Sequence, residues 1–280
     1  MEPKPSPDTA GHWGVQALWE QVSPLLPGLS IEVVERIGST NVELADRLRM
    51  ASHSARGRDS RADDLRPALL VAVQQTQGRG RLGRGWLAQP QASLTFSLSV
   101  PIARADWSGL SLAVGLALAR ALDPTGQAIG LKWPNDLWRR DGSQRKLGGV
   151  LIEALPVGEQ RVAVIGIGLN VQPLPLSERF AALSEFLPQP TPPSVLAAVL
   201  PPLAQALQSF EQQGFAGIAA DYARLDLLRG EQVTTTDPAC PEGLAEGVAD
   251  DGALLVRTAA GLQRIVSGEV SVRPLAPPSP

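Results

Sequence analysis

The run GRGRLGRGW, residues 78–86, spaces the arginines Arg79, Arg81 and Arg84 among the glycines Gly78, Gly80, Gly83 and Gly85, and closes on Trp86. Glycine lets backbone N–H groups approach an anion closely, and arginine supplies a planar, permanently charged fork matched to carboxylate or phosphate oxygens. The chemistry this suits is the holding of a phosphorylated or carboxylated ligand. The run is neither of the common nucleotide fingerprints, because no Gly-Lys-Ser/Thr follows it and it joins two strands instead of opening a helix. It reads as a ligand lid; the plainer alternative is an exposed Arg-Gly loop with a weak RNA contact.

Further clusters set polar groups at strand ends. In LKWPNDLW, residues 131–138, Lys132 leaves a strand and Pro134 fixes a turn; Asn135 and Asp136 then offer an amide oxygen and a carboxylate that can orient Mg²⁺ or a sugar hydroxyl. In KLGGVLIE, residues 146–153, Lys146 stands just before Gly148 and Gly149 at the start of an apolar strand, within reach of a ligand close to the backbone. In GIGLNV, residues 166–171, Gly166 and Gly168 thin a strand and Asn170 ends it. Ser39-Thr40-Asn41 lies between a strand and a helix, and Thr40 with Glu43 has the spacing of a capping box. Singly, each has a structural reading: an Asn-Asp turn beside a structural Trp133, a solvated hairpin lysine, a close-packed strand, a helix cap.

Composition narrows the chemistry. With 280 residues, 44% of them hydrophobic and 19% charged, the chain can bury one good core and a second small one. Lys+Arg 25 against Asp+Glu 28 leaves a formal net charge of -3, so no global basic field draws it to DNA or anionic lipid. Cys240 is the single cysteine, and His12 and His53 are the two histidines. That excludes an intramolecular disulfide, a Cys/His zinc cluster and a thioredoxin-like pair, and leaves little material for a His-dependent triad. Chemistry falls to Lys, Arg, Asp, Asn and backbone. The opening MEPKPSPD sets acids and prolines where a signal peptide needs a basic and then an apolar stretch. The most apolar run, residues 110–122, is cut by Arg120 and falls short of the roughly 18 residues of a membrane span. The expected location is cytoplasmic, with no membrane partner.

The elements that must position these clusters follow from periodicity. Residues 15–26 are amphipathic with Leu18 and Trp19 on one side, and residues 1–28 are too few for a complete DNA-binding module. A strand is expected over 31–37 and a helix over 42–50. Residues 52–66, rich in Arg, Asp and Ser without periodicity, read as an exposed excursion that tolerates deletion. Strands at 69–74 and 94–100 flank the lid; a core helix at 109–122 precedes strands at 129–132, 149–155 and 161–171. A helix over 194–213 should break at Pro201 and Pro202, and another helix covers 215–227. From residue 230 the texture changes to short strands at 232–236, 243–249, 253–258 and 262–272 split by Gly-containing turns. The expected class is α+β: a short segment 1–28, a larger domain 29–228, and a small β-barrel 229–280.

Ser-Thr-Asn, GRGRxGRxW, KWPND, KLGGVLIE and GxGLNV, in that order, resemble the biotin protein ligase family, whose members attach biotin to carboxylase carrier domains. The resemblance spans about residues 31–273, and EGVADDGALLVRT with SGEVSVRP looks like that family's small SH3-like barrel. It implies the mixed-sheet catalytic domain of the biotin/lipoate ligase type, in a monofunctional form without an N-terminal DNA-binding domain. It also implies an enzyme that uses ATP and Mg²⁺ to make biotinyl-5'-AMP, then passes biotin to a lysine of the biotin carboxyl carrier protein of acetyl-CoA carboxylase. Carried over by motif, Ser39, Thr40, Asn41, Gln75, Arg79, Gly80, Arg81, Lys146 and Gly149 would meet biotin. Arg81, Arg84, Trp86, Lys132, Asn135, Lys146, Asn170 and Arg273 would surround ATP, with Asn135 also a candidate for Mg²⁺. Lys146, Arg81 and Lys132 would carry catalysis, and Asp136 is a candidate base for the acceptor lysine. Leu82 stands where some members have another arginine. The family often forms homodimers through sheet edges. The competing readings are a lipoate or octanoate ligase, which shares the fold, and a non-catalytic biotin-responsive regulator. The chain lacks the arginine-rich run into a triple-glycine and histidine motif of the former.

Overall fold

A computed structural model describes residues 12–54, 65–174, 179–266 and 272–274. Helix α1 (Val15–Val22) is followed by β1 (Ser30–Ile37), helix α2 (Thr40–Ser54) and β2 (Ala68–Gln75), with β1 and β2 paired in parallel. The lid follows as a two-stranded ribbon, β3 (Gly78–Arg79) and β4 (Gly85–Trp86), around a 3-10 turn at Arg81–Gly83. Then come β5 (Ser93–Pro101), α3 (Leu110–Leu122), β6 (Ile129–Lys132), β7 (Asp136–Arg139), β8 (Lys146–Val157) and β9 (Gln160–Asn170). These strands form a seven-stranded mixed sheet in the order β1-β2-β5-β9-β8-β7-β6, antiparallel everywhere except β1 with β2. β7 is a strand that the turn at WPND concealed: two residues after Pro134 the chain pairs back along β6.

The sheet is covered on both faces, and the strand periodicity of two decides what goes where. Leu69, Val71, Phe96, Leu98, Ala163 and Ile165 join α3 and α4 (Pro192–Gln213) in the main core. Leu70, Val162 and Val164 point the other way, onto Leu44 and Leu48 of α2. On that second face β5 presents Thr95, Ser97 and Ser99. All three are buried, and each hydroxyl is hydrogen bonded. The alternation in β5 is thus between two covered faces.

Helix α4 runs unbroken through Pro201 and Pro202, contrary to the expected break. An interior proline costs a helix about 3 kcal/mol. Here Val195, Leu196, Val199, Leu200, Leu203, Ala204, Leu207 and Phe210 form one buried stripe on both sides of the pair, and their burial, at roughly 1.5–3 kcal/mol for each large side chain, outweighs the loss. The helix expected over 215–227 is instead a 3-10 turn, Ala216–Ile218, followed by α5 (Ala219–Leu225). Leu18 is buried but Trp19 is 42% exposed, its indole nitrogen donating to the Leu29 carbonyl, so the two do not share the apolar side of α1. Most of the excursion expected at 52–66 lies outside the described residues.

The C-terminal strands β10 (Gln232–Thr235), β11 (Glu242–Val248), β12 (Leu254–Thr258), β13 (Gly261–Ile265) and β14 (Val272–Pro274) form an antiparallel, SH3-like sheet in the order β13-β12-β11-β10-β14. It docks where Trp133 donates its indole N–H to the Gly252 carbonyl at 3.0 Å, which confirms a structural role for that tryptophan. Among the described residues no helix is long and apolar enough to cross a membrane.

Candidate active site

The α2 side of the sheet carries the site, and register explains its layout. Ser97 of β5 pairs with Gly166 of β9, which pairs with Leu151 of β8. In the next row Thr95 pairs with Gly168, Gly168 with Gly149, Gly149 with Asp136 of β7, and Asp136 with Lys132 of β6. Paired residues project to the same side of a sheet, so three glycines open a trough across neighbouring strands. Asn41 fills the trough above Gly166, where a Cβ would fall 2.9 Å from Asn41 Cγ. Trp86 lies above Gly168, where a Cβ would fall 2.5 Å from Trp86 Cζ2, and Lys146 above Gly149, at 3.0 Å from Nζ.

One end of the trough is polar and uncharged. The Thr40 amide donates to Gln75 Oε1 at 2.7 Å, the Thr40 and Ser97 hydroxyls meet at 2.7 Å, and Ser97 donates to Asn41 Oδ1 at 2.6 Å. Asn41 in turn donates to Glu153 Oε2 at 2.8 Å. The capping box expected of Thr40 and Glu43 does not form, because the Thr40 hydroxyl turns inward to Gln75 and Ser97 while Glu43 pairs with Arg47. Ser39, Thr40 and Asn41 are all nearly fully buried at the helix start.

The other end gathers cations. Lys146 Nζ lies 2.6 Å from Asp136 Oδ1 and 5.6 Å from the centroid of the Trp86 ring. The hairpin lysine is therefore ion-paired and only partly exposed, not freely hydrated. Lys132 is 7% exposed, 5.0 Å from the Trp138 ring centroid, and burial pushes its ammonium down to about 8. Arg81 donates to Asn135 Oδ1 at 3.2 Å, and burial lowers its guanidinium from the usual range. Asn135 spends its amide nitrogen on the Val150 carbonyl, and Asn170 donates to the Lys146 carbonyl, bracing β8 beneath the lysine.

Both ends open into one cleft of about 290 Å³. Ser39, Thr40, Asn41 and Gln75 line its polar end, Lys132, Asn135, Asp136, Lys146, Gly149 and Asn170 its cationic end, and Arg79, Gly80, Arg81, Arg84 and Trp86 its lid. Arg273 alone of the expected residues stands outside the lining; it is exposed on β14, though its neighbour Val272 reaches the cleft and its charge acts on Lys132. The Trp86 indole N–H is buried and meets no acceptor among the described residues, as an atom waiting for a ligand would. Sequence reasoning missed Ser97 and Glu153. A serine or threonine on every second position of β5 was the available signal for the first, and only the register discloses the second.

A group of three or more Asp, Glu, His or Cys able to hold a metal does not occur among the described residues. Asn135 Oδ1 already accepts from Arg81, and Asp136 already holds Lys146. These side chains do not make a resident cation site.

Residues 54–170 match the biotin/lipoate A/B protein ligase family, and residues 230–273 match the biotin protein ligase C-terminal domain. The biotin–acetyl-CoA-carboxylase ligase of Mycobacterium tuberculosis is 31% identical over 86% of this chain and 88% of its own length. The bifunctional ligase/repressor of Escherichia coli is 30% identical over 91% of this chain and 77% of its own length. The biotin protein ligase of Aquifex aeolicus in complex with biotin and ATP superposes with a TM-score of 0.70 at 28% identity, covering 88% of this chain and 99% of the other. The trough, the lid and these likenesses agree, and the chain belongs to the biotin protein ligase family.

Proposed function

We propose that this chain is an ATP-dependent ligase that activates biotin as biotinyl-5'-AMP and transfers it to a lysine of the biotin carboxyl carrier protein of acetyl-CoA carboxylase. The observation that carries the reading is the division of a single cleft into an uncharged polar end and a cationic end. A carboxylated ligand whose head is neutral and polar lies naturally across the two, with its carboxylate among Lys146, Lys132 and Arg81.

In the first step a biotin carboxylate oxygen attacks the α-phosphorus of ATP, and the bond to pyrophosphate breaks. Two anions must meet, so the chain's task is to neutralise charge that grows on phosphoryl oxygens. Lys146 exchanges Asp136 for the carboxylate and the α-phosphate, Lys132 and Arg84 meet the remaining phosphates, and Trp86 packs near adenine and offers its free N–H. Arg79, Gly80 and Arg81 close over the biotin tail. In the second step the acceptor ε-amine attacks the acyl carbonyl and AMP leaves. The amine must lose a proton from a pKa near 10.4, and Asp136, released by Lys146, is the candidate base. Mg²⁺ would come with the nucleotide and supply positive charge against its phosphates; Asn135, whose Oδ1 accepts from Arg81, would hold it only if that arginine moved aside.

The catalytic part is assigned to residues 29–228 and the barrel to 229–280, with the reaction in the cytoplasm and no DNA partner. The edge strand β1 offers backbone for a homodimer, whereas β6 is covered by the following chain, the Leu227 amide donating to the Leu131 carbonyl at 2.9 Å. The deciding experiment is biotin-dependent ATP–pyrophosphate exchange with Mg²⁺, run beside lipoate and octanoate. Exchange with biotin alone is expected; exchange with lipoate or octanoate instead moves the chain to the sister activity.

A further inference from the structure

The polar end of the cleft is one proton short. Four side chains, Gln75, Thr40, Ser97 and Asn41, stand in a file with three oxygen–oxygen contacts: Thr40 to Gln75 at 3.1 Å, Thr40 to Ser97 at 2.7 Å and Ser97 to Asn41 at 2.6 Å. Both ends of the file are fixed as acceptors. Gln75 must present its carbonyl oxygen, because that atom receives the Thr40 backbone N–H. Asn41 must present its carbonyl oxygen to Ser97, because its NH₂ is drawn to the carboxylate of Glu153. A flipped Asn41 would set two oxygens of Asn41 and Glu153 against each other. Only the two hydroxyls remain to supply protons for three contacts, and one contact goes without.

We infer that Glu153 is a positioning residue which, by holding Asn41 in this orientation, makes the Thr40–Gln75 end of the pocket accept an N–H from the ligand and so selects a ring urea over a plain acyl chain. The shorter contacts keep their protons: Ser97 donates to Asn41 and Thr40 donates to Ser97. The deficit falls on the longest contact, Thr40 to Gln75, which lines the cleft. Water can supply the missing donor in the free protein, and a ligand N–H replaces it in the complex. An alkyl or dithiolane head brings no N–H and leaves the Thr40 hydroxyl oxygen facing the Gln75 carbonyl oxygen with no proton between them, a loss that hydrogen-bonding pockets convert into discrimination. Glu153 itself lies outside the lining and acts only through Asn41. The inference rests on the proposed biotin activity.

The test exploits an inversion. Glu153→Gln keeps size and a hydrogen bond to Asn41, so a purely structural role predicts a silent change. An amide can instead donate to Asn41 Oδ1, letting Asn41 turn its NH₂ to Ser97; the file then has three protons for three contacts without a ligand. In pyrophosphate exchange, Glu153→Gln is expected to raise KM for biotin about tenfold, the factor carried by one good hydrogen bond, with KM for ATP and the melting temperature unmoved. It should also narrow the preference for biotin over its N-methylated urea derivative. Ser97→Ala, which removes a link from the file, should narrow that preference too. Wild-type exchange with biotin but an unchanged biotin KM and an unchanged preference in Glu153→Gln overturns the role of Glu153. No wild-type exchange with biotin overturns the functional reading instead.

Discussion

Trp86 rests directly on the backbone of Gly168, in a gap that a single methyl group would close. Asn41 rests on Gly166 in the same way, two residues along the same strand. The pair separates the two halves of the cleft genetically. Gly168→Ala displaces the indole from the end of the cleft proposed for the nucleotide, and is expected to raise KM for ATP about tenfold or more while that for biotin changes little. Gly166→Ala displaces Asn41 and should do the reverse. Steady-state pyrophosphate exchange with each substrate varied in turn measures both. Equal damage to both constants in either variant would mean that the trough fails as a unit.

Lys146 and Asp136 form the ion pair at the cationic end, 2.6 Å apart in a partly exposed setting. Lys146→Ala is expected to lower adenylate formation by a factor of roughly 100–1,000, the usual loss when one donor to a developing anion is removed. Folding should survive, because the side chain is not part of the core. Near-wild-type exchange in this variant would remove the lysine from the chemistry. Asp136→Asn leaves Lys146 in place without its carboxylate. It should retain adenylate formation and slow transfer to the carrier lysine, a split that single-turnover transfer from preformed adenylate resolves.

Much of this site is legible in the sequence, because the clusters sit where chain reversals leave strand ends: KWPND at the β6–β7 hairpin, KLGG at the start of β8, GLN at the end of β9. What periodicity cannot supply is register. Gly149, Gly168 and Thr95 are far apart in sequence and adjacent in the sheet, so the trough exists only once β5, β9 and β8 are aligned. Glu153 and Ser97 escaped for the same reason, since each becomes informative through Asn41, which arrives from a helix. Where the reading of elements failed, tertiary burial overrode a local rule. Pro201 and Pro202 stay helical because the stripe around them is buried, and Thr40 gives up a cap for partners on two strands.

Lys132 links function to stability through pH. Burial lowers its ammonium from 10.5 to about 8, so between these values the unfolded chain binds a proton that the folded chain does not. Unfolding free energy therefore gains from this residue as pH rises from about 8 to 10.5, and below about 8 the buried charge imposes its full cost. Lys132→Met removes that cost. It should raise the melting temperature at pH 7, with the advantage shrinking as pH climbs through the window, while ATP-dependent exchange collapses. ATP binding by the wild type should weaken above pH 8, as the lysine proposed to meet phosphate loses its charge. A melting difference that is flat from pH 7 to 10 would show the lysine to be equally charged in both states.

Arg81 ties the lid to the floor, reaching from the 3-10 turn to Asn135 while the turn itself exposes Leu82. A closed lid has two effects on an acyl-adenylate: it brings a guanidinium to the phosphate, and it keeps water and stray amines from the activated carbonyl. Arg81→Gly removes the tether and adds backbone freedom to a segment already rich in glycine, so the lid should open more often than it closes. The expected phenotype is a weaker KM for biotin with adenylate that escapes, seen as biotin on lysines of bystander proteins mixed with the enzyme, ATP and Mg²⁺. The wild type should label its carrier domain alone under the same conditions. Labelling by the variant that stays confined to the carrier domain would mean that retention of the adenylate depends on contacts other than the Arg81–Asn135 tether.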